Sequence, residues 1–396
     1  MRFLILNTDY PEFLEWLYAQ HPGLESRCYR NQLEVRYGSG FGVGDFYSRN
    51  LQELGHEAMD LYTNNQFLQQ AWMADHASHM FEESEERHQW KLVVQGVRRR
   101  VAQTPLRWLK PLARPLLRKW DQHLDESHRI LRAQIKYYRP DVLLNQAMDG
   151  IAPCFLREVK QQVGLLIGQH AATRLPETED FGCYDLIVSS FQPTVDYFRT
   201  KGIPAILHRL AFEPGMVLGL TPAQRQHPVS FVGSLSKVHK TRIHWLESLC
   251  QQIQELRIWG TGIEQLPADS PLRTRYQGPA WGRDMYQILV NSKITLNHHG
   301  DVAPYANNCR LYEATGMGSM LITDWKVNLQ ELFASGREVV AYRSAEECAA
   351  QVRFYLDHDD ERAAIARAGQ QRTLRDHTYR HRMQELVDIA QKRLHA

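Results

Sequence analysis

The feature that most narrows what this chain can fold into is a rhythm. Short, continuous apolar runs recur along it, each followed by a stretch long and amphipathic enough for a helix. In the first half, residues 3–6, 141–144, 164–168, 185–189 and 205–207 predict strands. Helices are expected over residues 12–20, 153–162 and 193–201, and over a stretch that Asp45 caps and Gly55 closes. Strands that are apolar throughout, rather than alternating, are covered on both faces. That pattern means a parallel sheet with helices on each side.

Near Phe212-Glu213-Pro214-Gly215 the rhythm breaks, and a stretch containing Pro and Gln runs to Pro228. A second series then begins, with strands expected at residues 229–232, 256–259, 294–297, 320–323 and 338–342. Helices are expected at 242–254, 283–290 and 345–356. The resulting expectation is an α/β protein of two Rossmann-like parallel-sheet domains facing a cleft, the place where such sheets bind ligands. The first domain would take residues 1–215 with a helical insert at about 65–135, and the second residues 226–377. A last helix, over residues 379–394, would cross back to the first domain.

Composition supports this size of architecture. Of 396 residues, 43% are hydrophobic, enough for two cores, and a charged fraction of 23% argues against disorder. The net charge of +2 is too small to draw nucleic acid by itself, so none is expected as a partner. The six cysteines form no C-x-x-C pair and read as free thiols of a reducing compartment. The first apolar run stops at Thr8-Asp9, too short for a signal-peptide core, and nothing is long enough to span a bilayer. The expected location is cytoplasmic. One segment is uneven: residues 91–119 hold nine Lys or Arg and no Asp or Glu, with Trp90, Trp108 and Trp120 interleaved. Pro105, Pro111 and Pro115 break it into short helices. It reads either as a solvated basic face or as a surface for anionic lipid or an anionic acceptor, which would place the protein at the inner face of a membrane.

The segment of residues 308–324 carries most of the chemistry. It reads as a short helix, a glycine turn and a buried strand, with Asn308, Arg310 and Glu313 at the start. A helix N-terminus suits a diphosphate, and a carboxylate a turn inside it suits the vicinal hydroxyls of a ribose. A second cradle is Phe231-Val232-Gly233-Ser234, followed by Lys237, His239, Lys240 and Arg242; Lys240 and Arg242 are its favoured cations. Glycines 38, 40, 42 and 44 lack dinucleotide spacing and predict a mobile loop facing the cleft, or a structural turn. His170 follows a strand and suits a general base, with Asp45 next and Asp149 weaker. His298 and His299 end a strand, project to opposite sides and would chelate poorly, so they predict a polar donor contact and no metal. Asp357-His358-Asp359 reads as a solvated helix end.

The run Arg310-Leu311-Tyr312-Glu313-Ala314, with Gly316, Gly318, Leu321, Ile322 and Asp324, resembles the donor-site signature of GT-B glycosyltransferases. The likeness is nearest to the CgeB-like, group 1 (family-4-like) branch. It continues through residues 328–333, 336–340, 357–362, 366–369 and 377–379, and more loosely at Asp45-Phe46-Tyr47-Ser48 and Leu54-Gly55-His56-Glu57. The resemblance implies a nucleotide-sugar donor, with Glu313 on the ribose and Arg310 with its helix N-terminus on the phosphates. The donor set would be Glu313, Arg310, Lys240, Arg242, Gly233, Ser234, Gly260, His299 and Asn308, and His170 would touch the transferred sugar. The implied activity is metal-independent hexosyl (or related) transfer to a glycan, lipid-linked or protein acceptor. One departure is Tyr305, eight residues before Glu313, where many retaining members carry a second glutamate. A sugar-nucleotide epimerase of the same fold and a non-catalytic glycan- or coat-associated protein are the rival classes.

Overall fold

The computed structural model describes residues 1–76, 122–170, 180–220, 225–236, 239–299 and 304–395. The basic segment at 91–119, most of the expected insert, and Lys237 lie outside them. The described elements run β1 (Arg2–Asn7), α1 (Pro11–Gln20), α2 (Tyr29–Gly38), α3 (Phe46–Glu53), β2 (Glu57–Tyr62), α4 (Gln66–His76), α5 (Gln122–Tyr138) and β3 (Val142–Asn145). There follow α6 (Pro153–Val159), β4 (Leu165–Gln169), β5 (Leu186–Ser189), α7 (Gln192–Thr200) and β6 (Ala205–Leu207). The second series is β7 (His227–Val232), α8 (Lys240–Gln252), β8 (Leu256–Trp259), α9 (Leu272–Arg275), α10 (Gly282–Val290) and β9 (Ser292–Asn297). It ends with α11 (Arg310–Gly316), β10 (Met320–Asp324), α12 (Leu329–Leu332), β11 (Val340–Tyr342), α13 (Ala345–Asp357), α14 (Asp359–Asp376) and α15 (Tyr379–Leu394).

Two compact units result: Asn7–Val35 with Leu61–Arg139, and Met1–Leu6 with Arg36–Asp60 and Pro140–Ala396. The smaller is held by aromatic and amide contacts. Trp72 stacks on His76 and donates its indole N–H to Tyr138 at 3.1 Å, while the Tyr18 hydroxyl lies 2.9 Å from both Gln32 and Asn65.

Two sheets organise the rest, in the orders β2-β1-β3-β4-β5-β6 and β11-β10-β9-β7-β8. The expectation of two parallel, doubly covered sheets is met. Pairs such as Ile5↔Leu144, Leu144↔Ile167 and Phe231↔Leu296 are parallel, and β3, β5 and β10 are buried along their whole length. Burying both faces of such strands is what selects unbroken Val, Ile and Leu runs. α15 packs on α3 and β4, and its Met383, Leu386, Val387 and Ala390 share one core with Phe46, Leu51, Leu165 and Ile167.

β2, α2 and α14 were not anticipated. β2 escapes a pattern search because Asp60 interrupts it; that buried carboxylate accepts from the Tyr37 hydroxyl at 3.3 Å. Glycines 40, 42 and 44 take positive φ in tight turns. The Arg283 amide donates to the Ser39 carbonyl at 2.9 Å, and a Cβ on Gly282 would stand 1.9 Å from that oxygen.

α14 braces α11 through a buried hydroxyl pair, Thr315–Thr373 at 2.6 Å, and packs on the turn before β11 at Gly369, where an added Cβ would lie 2.3 Å from the Glu338 carbonyl. Alanine is the better helix former by about 1 kcal/mol, but a backbone oxygen cannot swing aside and overpacking costs about 1–3 kcal/mol or more. Gly369→Ala is therefore expected to destabilise the fold by roughly 2 kcal/mol in urea unfolding, although it sits inside a helix. A stabilised variant would contradict the packing.

Two buried histidines make the fold acid-sensitive. Burial, reinforced by the Arg382 guanidinium, depresses His208 to about 3; Glu385 lies 3.6 Å away but is half exposed, so solvent screens it. Burial also depresses His377 to about 4, against the help of the Leu332 carbonyl and with Arg382 donating to its Nδ1 at 3.1 Å. Both pKa values lie below the unfolded value of about 6.5, so the unfolded chain binds the extra protons. Their contribution is complete above pH 6.5 and drains away as the pH falls toward 3. Melting temperature should drop through that window, less steeply in His208→Gln.

Candidate functional site

The site lies where the carboxyl ends of the second sheet's strands meet the start of α11. Asn297, the last residue of β9, sets its frame. Its side-chain amide exchanges two hydrogen bonds with Asn308, at 3.2 and 2.8 Å, and also donates to Thr323 at 3.1 Å, while its carbonyl accepts from the Tyr342 hydroxyl at 2.8 Å. Asn308 in turn accepts from the Leu311 amide at 3.3 Å. The helix start is thus tied to three strand ends.

Glu313 is buried one turn inside α11. Its carboxylate accepts from Arg310 at 2.7 Å and from the Tyr286 hydroxyl at 3.4 Å. Burial, with the nearby Glu313 charge, pushes the Tyr286 phenol well above its ordinary range, so this group donates. Arg310 is committed three ways: to Glu313, to the Val232 carbonyl at 3.2 Å and to the Met285 sulfur at 3.0 Å. It holds the carboxylate in place more than it reaches outward.

The second cradle is backbone-lined. Gly233 donates to the Trp259 carbonyl at 3.0 Å, and Leu235 to that of Thr261 at 2.7 Å. Gly260 has a φ of +148°, and a Cβ there would fall 1.8 Å from the Gly233 carbonyl oxygen. Only glycine lets these two loops meet. Arg242 donates to the carbonyls of Ser234 (3.3 Å) and His298 (3.0 Å), stitching the ends of β7 and β9 together. Lys240 is exposed at the first turn of α8.

His299 follows β9 and is buried. Asp324 holds its Nδ1 at 2.6 Å and accepts its backbone amide at 3.0 Å, while Nε2 is buried with no hydrogen-bond partner. Burial opposes ionisation of Asp324, but the His299 hydrogen bond, followed by the charges of His299, His298 and Lys326, holds its carboxyl well below the usual carboxylate range. Lys326 sits 3.2 Å from it. Among the described residues no group of three His, Cys, Asp or Glu side chains is arranged to hold a metal ion.

Two of the three base candidates, His170 and Asp45, lie in the part of the chain that builds the first sheet. His170 follows β4, buried, its ring 6.1 Å from that of Phe198. Asp45 precedes α3 and pairs with Arg49 at 3.3 Å, which also meets the buried Glu213 at 3.2 Å. Burial pushes Asp45 up against the pull of Arg49, Arg283 and Arg36. Asp357 and Asp359 flank His358 between α13 and α14, and Asp359 pairs with Arg362.

Of the expected donor residues, the structure gathers Glu313, Arg310 and Asn308 around the start of α11, and Gly233, Ser234, Gly260 and Arg242 at the neighbouring strand ends. Tyr286, Asn297 and Asp324 were missed as site residues. Asp324 stood inside the recognised motif, but Tyr286 looks like any aromatic on an amphipathic helix.

Breaking one side of a buried ion pair strands the other charge, at a cost of about 3–5 kcal/mol. The side chains of Arg310 and Glu313 are 13% and 12% exposed. Arg310→Met should thus lose on the order of 3 kcal/mol, and adding Glu313→Gln should recover most of it. Urea titration of the double-mutant cycle checks this; additive losses would mean the pair is not coupled.

Residues 240–388 match the family model described as glycosyl transferase-like. No curated protein sequence matches the chain. Solved structures similar to it include a glycosyltransferase from Rickettsia africae, with a TM-score of 0.58 and 12% identity over 99% of this chain and 98% of that one. Another is AviGT4, a glycosyltransferase of avilamycin A biosynthesis (0.55, 13%, covering 100% and 98%). A third is Anabaena HepE in complex with UDP-glucose (0.54, 12%, covering 99% and 100%). At such identity the likeness establishes the fold, which is GT-B.

Proposed function

We propose that this protein transfers a sugar from a nucleotide-sugar donor to a hydroxyl of a glycan, lipid-linked or protein acceptor. The observation that carries the reading is Glu313, a buried carboxylate at the carboxyl edge of a parallel sheet, aimed by Arg310 and Tyr286. Its segment lies inside the region that is similar to glycosyl transferase-like proteins, and HepE, of the same fold, binds UDP-glucose. On this reading Glu313 accepts hydrogen bonds from the ribose hydroxyls. The backbone of Gly233 and Ser234 faces the diphosphate, and Lys240 with the amides opening α8 offsets its charge without a metal. His299, held by Asp324, adds a polar contact.

In the transfer, the acceptor oxygen forms the new bond to the anomeric carbon as the bond from that carbon to the diphosphate oxygen breaks. The diphosphate leaves with the electron pair. The acceptor proton passes to a base, for which His170 is favoured because the Asp45 carboxylate is engaged by Arg49. The motif around Glu313 resembles that of the CgeB-like branch.

A ligand that binds only the folded state raises the melting temperature by mass action. One of UDP, GDP, dTDP, ADP or CMP should stabilise the wild type. Glu313→Gln, which keeps the side chain's volume, should weaken that nucleotide ten- to a hundred-fold, the equivalent of about 1.5–3 kcal/mol for hydrogen bonds to a charged group. Release of the nucleotide from its sugar in the presence of an acceptor mixture should fall at least a hundred-fold in His170→Ala. A wild type that no nucleotide stabilises would sink the reading, and conversion of the donor to its epimer would replace it.

A further inference from the structure

The carboxylate of Glu313 is aimed partly from α10, a helix whose own start is completed by a segment distant in the sequence. α10 carries Tyr286, which donates to Glu313, and Met285, whose sulfur meets Arg310 at 3.0 Å. The first amides of a helix have no partner inside it and need one from outside. Trp281, at the cap position, supplies no side-chain hydrogen bond. The Ser39 carbonyl, from the glycine-rich loop of residues 38–44, accepts from the Arg283 amide at 2.9 Å instead.

We propose that this loop and the start of α10 form a clasp that sets the position of Glu313, with Trp281, Gly282 and Arg283 as its positioning residues. The inference rests on the donor reading, in which Glu313 holds the nucleotide, and adds to it residues that act through α10.

The clasp is built for close approach. Gly282 has a φ of +48°, and a Cβ there would collide with the Ser39 carbonyl, so only glycine lets the loop reach the helix. Arg283 closes the contact with its side chain, donating from Nε to the Gly38 carbonyl at 3.0 Å and from Nη1 to the Leu218 carbonyl at 3.1 Å. The rings of Phe41 and Trp281 meet edge to face, 4.9 Å apart at 82°. All of these residues belong to one compact unit.

The capping carbonyl is itself held in place. The Ser39 hydroxyl donates to the Arg36 carbonyl at 2.7 Å and accepts from the Phe41 amide at 3.3 Å. The Arg36 guanidinium donates to the Phe41 carbonyl at 3.2 Å, and the Gly40 amide to the Tyr37 carbonyl at 3.0 Å. A Cβ at Gly40 would run into the buried side chain of Met216. A carbonyl fixed from so many sides orients the helix it caps.

The path from clasp to carboxylate is short. Met285 and Tyr286 are the fourth and fifth residues of α10, about 5 Å along the axis from its start. Tyr286 is buried, and Arg310 binds both Met285 and Glu313. A displaced helix start therefore moves the hydroxyl and the sulfur that between them hold Glu313 and its arginine.

The test compares the full chain with Gly282→Ala, Arg283→Met and Arg283→Lys, each also combined with Glu313→Gln. One readout is hydrogen exchange, by mass spectrometry without ligand, over α10 and α11. The other is calorimetric titration with whichever of UDP, GDP, dTDP, ADP or CMP stabilises the wild type. Gly282→Ala and Arg283→Met should exchange about five-fold faster or more over both helices. They should also bind the nucleotide roughly three- to thirty-fold more weakly, the range for residues that act on a site through an intervening element. With Glu313→Gln already present, the same changes should alter affinity by less than about two-fold, because no carboxylate is left to misplace. Arg283→Lys, which keeps one donor for a carbonyl, should fall between wild type and Arg283→Met. If Gly282→Ala does not fold, the Arg283 variants decide. Equal weakening in both backgrounds overturns the proposal, since the clasp would then meet the nucleotide directly. A lower melting temperature with unchanged affinity also overturns it, as does unchanged exchange over α11. Failure of the donor reading shows separately, as a wild type that no nucleotide stabilises; exchange over α11 then still decides whether the clasp acts on the helix of Glu313.

Discussion

Phe212 lies where the chain leaves the six-stranded sheet, and Thr378 lies where it comes back. The Phe212 amide donates to the His377 carbonyl at 2.8 Å, and its own carbonyl accepts from Tyr379 at 3.0 Å, so the two crossings pair as a miniature parallel ladder. The ring of Phe212 then packs on α11, where a Cβ at Gly316 would stand 2.5 Å from it, and faces Tyr286 at 6.4 Å. The crossing is therefore in contact with α11, which carries Glu313, and with Tyr286 on α10. Any adjustment of the crossing moves the base on which Glu313 and its Tyr286 partner stand.

From that base upward, the site is an exercise in spending polar groups. Buried hydroxyls run across the sheet from Ser230 through Thr295 to Ser319, at 3.2 and 2.7 Å, and join the strands beneath α11. Asn297 and Asn308 then lock the helix start, and Arg310 and Tyr286 lock Glu313. An isolated carboxylate at this depth would shed its charge or draw in water. Pairing it with Arg310 and Tyr286 holds it oriented and leaves its remaining lone pairs as acceptors.

Much of the fold was legible because parallel strands covered on both faces need apolar residues at every position, which a plain reading detects. β4 and β5 are examples along most of their length. β2 was lost for the opposite reason: Asp60 breaks its apolar pattern, and its buried carboxylate accepts from Tyr37 on a helix distant in sequence. α14 was lost because its exposed face is crowded with Asp, Glu and Arg, and only Ile365, Ala366, Gly369 and Thr373 among its buried residues mark an inward side. In the site, Glu313 could be found from its own neighbours in sequence. Tyr286 and Asn297 could not, since each acquires its meaning from a contact made across ten or more residues. The place of Tyr305 was equally hidden. Sequence offered that tyrosine as a missing glutamate, whereas folded it stands edge to face with Phe191.

The fate of Arg310 bears on how charge is handled at the diphosphate. From sequence it reads as a phosphate-binding cation. Folded, its guanidinium is divided among Glu313, the Val232 carbonyl and the Met285 sulfur. Arg242 is likewise occupied with the carbonyls of Ser234 and His298. Both arginines are then better described as posts that fix carbonyls and a carboxylate than as free charges. On the proposed reading, compensation for a leaving diphosphate falls to exposed Lys240, to the amides that open α8, and to the backbone at Ser234, since the amides of Gly233 and Gly260 are held by the carbonyls of Trp259 and Gly278. Backbone amides suit that role because they are already oriented and carry no compensating counter-ion that a phosphate would have to displace. The glycine at 260, strained for any other residue, is what allows that backbone to come near enough.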